Sequence, residues 1–162
     1  MYYRLFVAVL FTGVLHTIAD ASGGLAVPFV DGRWYGSLDA GKSKSNFQEC
    51  WASTTFDDGT TFKLIKRKDE SWHLQLSNFS WLLPQSRRYA MEVLVDFYPP
   101  LSIAAEAKSQ TLLEIAIFDH MSLLGFIENG HTIDLTSKEF NAKYELEGSA
   151  KVIQKMRACF TD

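Results

Sequence analysis

The sequence predicts a mainly β protein of the α+β class: an antiparallel β-sandwich or curved sheet of about 7–8 strands, with a short helix and a C-terminal helix packed on it. First, apolar and polar residues alternate with a period of two in several segments, which is typical of half-buried strands. Second, the gaps between these segments are too short for repeated helical crossovers, so neighbouring strands should run antiparallel. Third, helical spacing of apolar residues is confined to one short stretch and the last segment.

The first part of the predicted domain contains one short strand between loops. Residues 34–38 alternate weakly and are a strand candidate. Residues 22–32 and 40–48 are Gly/Ser-rich or polar, and we expect mobile loops there.

Residues 50–77 predict a three-strand meander. Asp57-Asp58-Gly59 is hairpin-turn chemistry between two extended runs, and Lys68-Asp69-Glu70 is a second polar turn. The three strands are expected over residues 50–56, 60–66 and 71–77.

The second half alternates strands with two helical segments. Residues 101–110 are ambiguous between an exposed connection and an edge strand. Asp119 can cap a short helix that stops at Asn129-Gly130, and Ser149 can cap the closing helix. Strands are expected over residues 89–97, 111–118, 131–137 and 140–146.

Residues 1–21 predict a cleaved signal peptide. Arg4 provides a basic region, residues 5–18 are mostly apolar, and Ala19-Asp20-Ala21 is a small-x-small cleavage site. This apolar run of about 14 residues is shorter than the ~20 that a membrane-spanning helix needs. An N-terminal anchor or a buried helix is the alternative. We therefore expect residues 22–162 to form a single β-rich exported domain without a transmembrane segment, located in the periplasm or secreted.

Cys50 and Cys159 are the only two cysteines in the sequence. In an oxidising compartment an isolated pair is most simply one disulfide, and we predict that bond. Free thiols, a metal site or a catalytic thiol are the alternatives. Structural zinc usually takes four ligands at tight spacings, and a nucleophilic cysteine needs a histidine partner, so neither is indicated by the spacing.

The sequence lacks the motifs of common catalytic and cofactor sites. It has no Gly-x-Ser-x-Gly, no Ser-x-x-Lys, no phosphate-binding loop and no His-Glu-x-x-His. A net charge of −3 argues against a dedicated nucleic-acid binder, which needs clustered cations to neutralise phosphates. We predict no catalytic residue, no metal site, no cofactor and no nucleic-acid partner.

Three histidines lie in the predicted mature chain. His73 falls on the polar face of a strand, where we expect it to be exposed to solvent. His120 and His131 flank the short helix, where capping and solvated charge explain them. A metal site or a hydrolase centre built from His120, His131 and scattered carboxylates is the alternative.

A basic cluster lies along the predicted hairpin. It consists of Lys63, Lys66 and Arg67, with Lys68 beside it. Such a cluster could form a patch for an anionic surface or an acidic partner. The alternative is an edge strand that positive charge protects against aggregation.

Residues 79–84 form an apolar stretch in a predicted loop. Phe79, Trp81 and Leu82 are its large side chains. The stretch is either a flap over the core or a patch that binds a partner. Asn78-Phe79-Ser80 also satisfies the N-glycosylation sequon, which matters only in a eukaryotic secretory pathway.

The C-terminal part resembles a known group of proteins. A Leu146-x-Gly148-Ser149 step enters a final helix that closes with Cys159. Over residues 112–160 the chain resembles small periplasmic proteins of proteobacteria that are similar to the invasion-associated locus B family. The middle strands and the number of cysteines depart from that family. The resemblance implies a periplasmic, β-rich, non-enzymatic module and carries over no catalytic residue. The segments concerned are residues 123–130, 133–135, 144–150 and 156–159.

These observations predict a non-enzymatic binding or interaction protein of a Gram-negative envelope. Its expected partner is another envelope or secreted protein, and inhibitor, immunity or virulence-associated roles belong to this class. The alternatives are a small hydrolase and a carrier of a small molecule or lipid. The sequence predicts no oligomeric state.

Overall fold

A computed structural model describes residues 26–39 and 48–160. In these residues ten strands form one antiparallel sheet in the order β1-β2-β3-β4-β5-β8-β7-β6-β9-β10. The strands are β1 Ala26–Asp31, β2 Trp34–Asp39, β3 Glu49–Thr55, β4 Thr61–Arg67, β5 Trp72–Ser77, β6 Arg88–Val95, β7 Leu101–Ser109, β8 Leu112–Ala116, β9 Thr132–Thr136 and β10 Asn141–Glu145.

The chain builds this sheet in two parts. Strands β1 to β5 follow one another as a meander. The loop after β5 then crosses to β6, and β6, β7 and β8 return so that β8 pairs with β5 and completes the junction. Strand β9 pairs with the free side of β6, and β10 ends the sheet.

Two helices interrupt and follow the second part. A 3₁₀ turn, Ile117–Asp119, leads from β8 into α1, Met121–Asn129, and α2, Ser149–Arg157, closes the described chain. Helix α2 packs against α1, β2 and β3. Gly148 precedes α2 with a φ of +86°, in the left-handed region that glycine adopts without steric cost.

The sheet is curled, because side chains from opposite ends of its strand order touch. The Tyr144 ring on β10 stacks on Phe56 at the β3–β4 turn, with centroids 4.5 Å apart. The indole Nε1 of Trp34 on β2 donates to the Glu147 carbonyl at 2.8 Å. The concave face and the two helices enclose a core of aliphatic and aromatic side chains.

Strands β3 and β4 hold the C-terminal end of α2 at two adjacent points. Cys50 and Cys159 form the predicted disulfide, with a Cα–Cα distance of 6.5 Å. Lys66, the register partner of Cys50, is buried and donates from Nζ to the carbonyls of Arg157 at 3.2 Å and Cys159 at 2.7 Å. A cation at the end of a helix satisfies carbonyls that have no partner within the helix.

The predicted fold class is confirmed, although the strand count was too low. Residues 22–32 were expected to be a loop, but β1 occupies Ala26–Asp31, where Val27 and Phe29 alternate with Pro28 and Val30 against β2. The ambiguous residues 101–110 form β7. The predicted signal peptide and nearly all of the predicted loop 40–48 lie outside the described residues.

Both predicted helix caps are wrong. Asp119 lies in the 3₁₀ turn, and His120 occupies the N-cap position of α1 without a capping side-chain hydrogen bond. Ser149 is the first residue of α2, and its Oγ donates to the Ile127 carbonyl at 2.7 Å, which joins α2 to α1.

None of the helices in the described ranges combines the length and apolar character that crossing a membrane requires.

Replacing Lys66 tests the hold on α2. We expect Lys66→Met to lower the free energy of unfolding by about 2 kcal/mol, because one buried and one partly buried carbonyl lose their donor. Lys63→Met is the matched control. Lys63 is on the same strand but faces the other way, and its ion pair with Glu49 is partly exposed, so we expect a loss below about 1 kcal/mol. Urea unfolding of the oxidised protein measures both, and equal losses would contradict this role for Lys66.

Candidate functional site

An apolar pocket opens beside the loop that joins β5 to β6. Its volume is about 210 Å³. We call it the Trp81 pocket. Its apolar lining comes from the loop, from β6, from β8 and from the segment before β10: Trp81, Leu82, Leu83, Tyr89, Met91, Leu113 and Phe140.

Backbone hydrogen bonds hold this loop against the sheet. Leu83 N donates to the Gln110 carbonyl at 2.8 Å, and Ser86 N donates to the Ala107 carbonyl at 2.7 Å. The Trp81 ring meets the Phe140 ring edge to face at 5.3 Å between centroids. The pocket is therefore formed in the free protein by a loop that is tied to β7 and to the β7–β8 turn.

The side chains of residues 79–84 fall into two groups, one buried and one exposed. Trp81 and Leu83 are partly buried and pack against the core, as a flap would. Phe79 and Leu82 instead point outwards and are 97% and 85% exposed. Leu82 thus lines the pocket from an exposed position, and Phe79, on the same loop, is a second exposed apolar side chain that contributes little to the core.

Charged residues complete the pocket's border. Arg87 follows the loop and pairs with Glu139, which lines the pocket, at 2.5 Å. The Arg87 guanidinium also lies over the Tyr89 ring, 4.9 Å from its centroid. An apolar centre with a polar edge is the usual anatomy of a protein-binding surface.

The basic cluster does not form one cationic surface. Lys66 is buried against α2, whereas Lys63 and Arg67 lie on the opposite, outer face of the sheet. Lys63 lies over the Trp51 ring at 5.0 Å, and Arg67 contacts His73 and Glu114. Each cation therefore already has a partner within the fold.

His73 was expected to be exposed, and this prediction is wrong: the residue is 5% exposed. Its strand position does face away from the core, but Arg67 and the Phe118 ring cover it. The Arg67 Nη1 lies 2.9 Å from His73 Nε2, and the Phe118 centroid lies 5.6 Å from that of His73. Burial, followed by the Arg67 charge, lowers the pKa of His73 below its ordinary value.

Ser71, His73 and Glu114 have the order of a nucleophile, base and carboxylate. Ser71 Oγ lies 3.1 Å from His73 Nε2, and Glu114 Oε1 lies 3.5 Å from Nδ1. The protons do not fit that role. Ser71 donates its only hydroxyl proton to Asp69 Oδ1 at 2.6 Å, and Arg67 occupies the Nε2 lone pair. The ring is therefore not free to deprotonate Ser71.

The other two histidines have local roles. His131 is exposed and lies 3.4 Å from Asp96. Hydrogen bonds to the Asp96 carboxylate, first from the His131 backbone N–H, lower the pKa of Asp96 to about 2. His120 precedes α1. Among residues 26–39 and 48–160, no three His, Cys, Asp or Glu side chains form a group that could hold a metal ion.

Asn78, the acceptor residue of the sequon, is buried. Its Nδ2 donates to the Asp58 carbonyl and to Thr60 Oγ1, and its Oδ1 accepts from the backbone N–H and the hydroxyl of Ser80. The side chain thus joins the β3–β4 turn to the start of the loop that carries the Trp81 pocket. Sequence reasoning missed this role, because a sequon does not indicate burial.

Removing this side chain tests its structural role. We expect Asn78→Ala to lower the free energy of unfolding by about 2 kcal/mol, since it leaves buried groups without partners. Asn129→Ala, which removes one exposed hydrogen bond to the Gly125 carbonyl, should cost about 0.5 kcal/mol or less. Urea denaturation compares the two, and a loss at position 78 no greater than at position 129 would refute the assignment.

The fold and the site together define a disulfide-linked, mainly antiparallel β protein with a preformed apolar surface pocket. In comparisons with known proteins, no protein-family model, curated protein or solved structure matches the chain.

Proposed function

We propose that the protein is an exported, non-enzymatic binding protein of a Gram-negative envelope, and that it holds another envelope or secreted protein through the Trp81 pocket. The observation that carries this proposal is the pairing of a concave apolar pocket with two outward-pointing apolar side chains, Phe79 and Leu82, on a loop tied to the sheet. Exposed apolar patches with a polar rim mark interaction sites, and aromatic side chains are enriched in protein interfaces.

The size of the pocket favours a side chain of a protein over a free ligand. Small-molecule sites usually enclose about 300–1,000 Å³. The Trp81 pocket, at about 210 Å³, is smaller and is suited to one aliphatic or aromatic side chain. Leu82 at the edge of the pocket and Phe79 on the same loop are both highly exposed, and they extend the apolar surface beyond what a small ligand could cover. This combination favours a protein partner over the carrier alternative.

The fixed position of the loop supports the same proposal. A loop that is already ordered pays less conformational entropy when a partner binds. Leu83 N and Ser86 N bond to backbone carbonyls of the β7–β8 region, and Asn78 bonds to the turn between β3 and β4. The apolar side chains are thus presented from an anchored segment.

Two further observations support export and the absence of catalysis. The Cys50–Cys159 disulfide is of the kind that persists in oxidising compartments, in agreement with the predicted signal peptide and with the resemblance to periplasmic proteins. The proton arrangement at Ser71 and His73 disfavours a serine-hydrolase centre at these residues, a site distinct from the alternative built on His120, His131 and carboxylates. Whether the partner is a toxin, an enzyme or a host factor decides among immunity, inhibitor and virulence-associated roles.

Binding through this surface can be tested by comparing substitutions of exposed apolar residues on the pocket loop with one at an exposed apolar residue elsewhere. The immobilised protein is used to capture a partner from periplasmic extract, and the captured protein is then purified for titration. We expect Phe79→Asp and Leu82→Asp each to weaken its Kd at least tenfold, because a charge would be buried in the interface. Phe97→Asp, on the equally exposed β6–β7 turn, should leave the Kd unchanged. Equal Kd values for wild type and Leu82→Asp would rule out this surface.

A further inference from the structure

The outer face of the β4–β5 hairpin carries a polar cluster that the proposed function does not use. We call it the His73 cluster: Arg67, Asp69, Ser71, His73 and Glu114. Arg67 and Ser71 both approach the Nε2 of His73, at 2.9 and 3.1 Å, and Glu114 faces its Nδ1 at 3.5 Å. The His73 Nδ1 atom is itself buried and has no hydrogen-bond partner among the described residues.

The contact between Arg67 and His73 requires a neutral imidazole. A guanidinium has only donors and stays protonated, so Arg67 Nη1 can bond Nε2 only while that nitrogen keeps its lone pair. A proton on Nε2 would bring two N–H groups and two positive charges together. Ser71 directs its hydroxyl proton at Asp69, so towards the ring its Oγ acts only as an acceptor, 3.1 Å from Nε2. A hydrogen bond from a protonated Nε2 to Ser71 would therefore replace the Arg67 contact and not preserve it.

The same hairpin turn contributes to the hold on α2. Glu70, between Asp69 and Ser71, extends a carboxylate to within 2.9 Å of Lys66 Nζ. The Lys66 side chain is 4% exposed, and its ammonium donates to the last carbonyls of the α2 segment. Glu70 has a φ of +66°, an unfavourable region for a residue with a side chain. The turn is thus held from outside by the His73 cluster and from inside by Lys66.

We propose that the β4–β5 hairpin is an acid-sensitive latch on the C-terminal end of α2. Protonation of His73 drives the Arg67 guanidinium away, the turn at residues 68–71 loosens, and Glu70 leaves Lys66. The buried ammonium then loses its carboxylate, and the end of α2 opens locally while the disulfide keeps it attached.

The direction of the effect follows from the groups that face His73. Glu114 on β8 and Asp69 in the turn favour the charged ring, whereas burial, Arg67 on β4 and Lys108 on β7 oppose it. The balance lowers the pKa of His73 in the closed hairpin, so the open hairpin binds a proton more readily. The equilibrium constant for opening therefore rises as the pH falls below about 6.5, the ordinary pKa of histidine. It stops rising once the pH is below the pKa of His73 in the closed hairpin. Each unit between the two pKa values multiplies the opening constant about tenfold.

Hydrogen exchange measured by mass spectrometry tests the latch on the full, oxidised protein. Rates are compared at pH 7.5 and pH 5 after correction for intrinsic exchange. In the wild type we expect faster corrected exchange at pH 5 in peptides covering residues 67–71 and 155–160. His73→Gln, which does not titrate and can still accept from Arg67, should show no such change. The control is His131→Gln, at an exposed histidine paired with Asp96, and it should behave as the wild type does.

Three outcomes would overturn the proposal. One is an unchanged corrected rate in the wild type, and another is acceleration that persists in His73→Gln. The third is acceleration of residues 67–71 alone, with residues 155–160 unaffected, which would remove the link to α2. If His73→Gln fails to fold, NMR titration of the His73 ring in the wild type decides, because a pKa at or above 6.5 is incompatible with the latch.

Discussion

The attachment of the last helix to two neighbouring strands is the constraint on which the rest of the structure depends. Cys50 and Lys66 lie directly opposite each other on β3 and β4, and both reach the segment that ends α2. One link is covalent and the other is a buried ammonium on backbone carbonyls. A disulfide that closes a loop of 109 residues stabilises the fold by about 4–5 kcal/mol in chain-entropy terms. Together these links fix the helix over the concave side of the curled sheet.

The remaining contacts of α2 are ion pairs, one buried hydrogen bond and an apolar face, and they contribute unequally to its attachment. Lys155 reaches Asp31 on β1 at 2.9 Å, and Arg157 pairs with Glu128 on α1. These ion pairs are partly exposed, so each contributes little to stability. At the other end of the helix, the buried bond from Ser149 to the Ile127 carbonyl joins α2 to α1. The apolar face of α2, with Val152, Ile153 and Met156 fully buried, supplies the hydrophobic part of the same attachment.

Local features of this fold could be predicted from the sequence, whereas long-range ones could not. The β3–β4–β5 meander follows from Asp57-Asp58-Gly59 and period-two alternation, because a short turn fixes the pairing of its own strands. The pairing of β8 with β5 joins segments separated by two other strands, and no local pattern specifies it. Residues 26–31 escaped detection because Pro28 and the nearby glycines resemble a loop, although proline is tolerated on an edge strand such as β1.

The candidate site was predictable to a similar degree. The apolar run at residues 79–84 drew attention to Trp81 and Leu82, which do line the pocket. Tyr89, Leu113 and Phe140 were recognisable only as strand or core residues, since their convergence depends on the order of strands in the sheet. His73 was placed on the correct face of its strand, but a side chain on the outer face can still be covered by a long neighbour. The Arg67 side chain covers His73 in this way, and the alternation of residues along the strand does not indicate such a contact.

The basic run at the end of β4 explains why charge clustered in sequence need not form a charged surface. Successive side chains of a strand point to opposite faces, so Lys66 and Arg67 are separated by the sheet itself. Lys66 neutralises carbonyls on the core side, and Arg67 bonds a histidine on the outer side. Both cations therefore have partners within the fold. The turn that follows them is contacted on the core side by Lys66 and on the outer side by the His73 cluster. A patch for anionic partners would require cations on one exposed face, at even spacings along the strand. Lys63 and Arg67, four residues apart, share a face, but Lys63 lies over Trp51 beside Glu49 and Arg67 bonds His73, so neither offers an unpartnered charge.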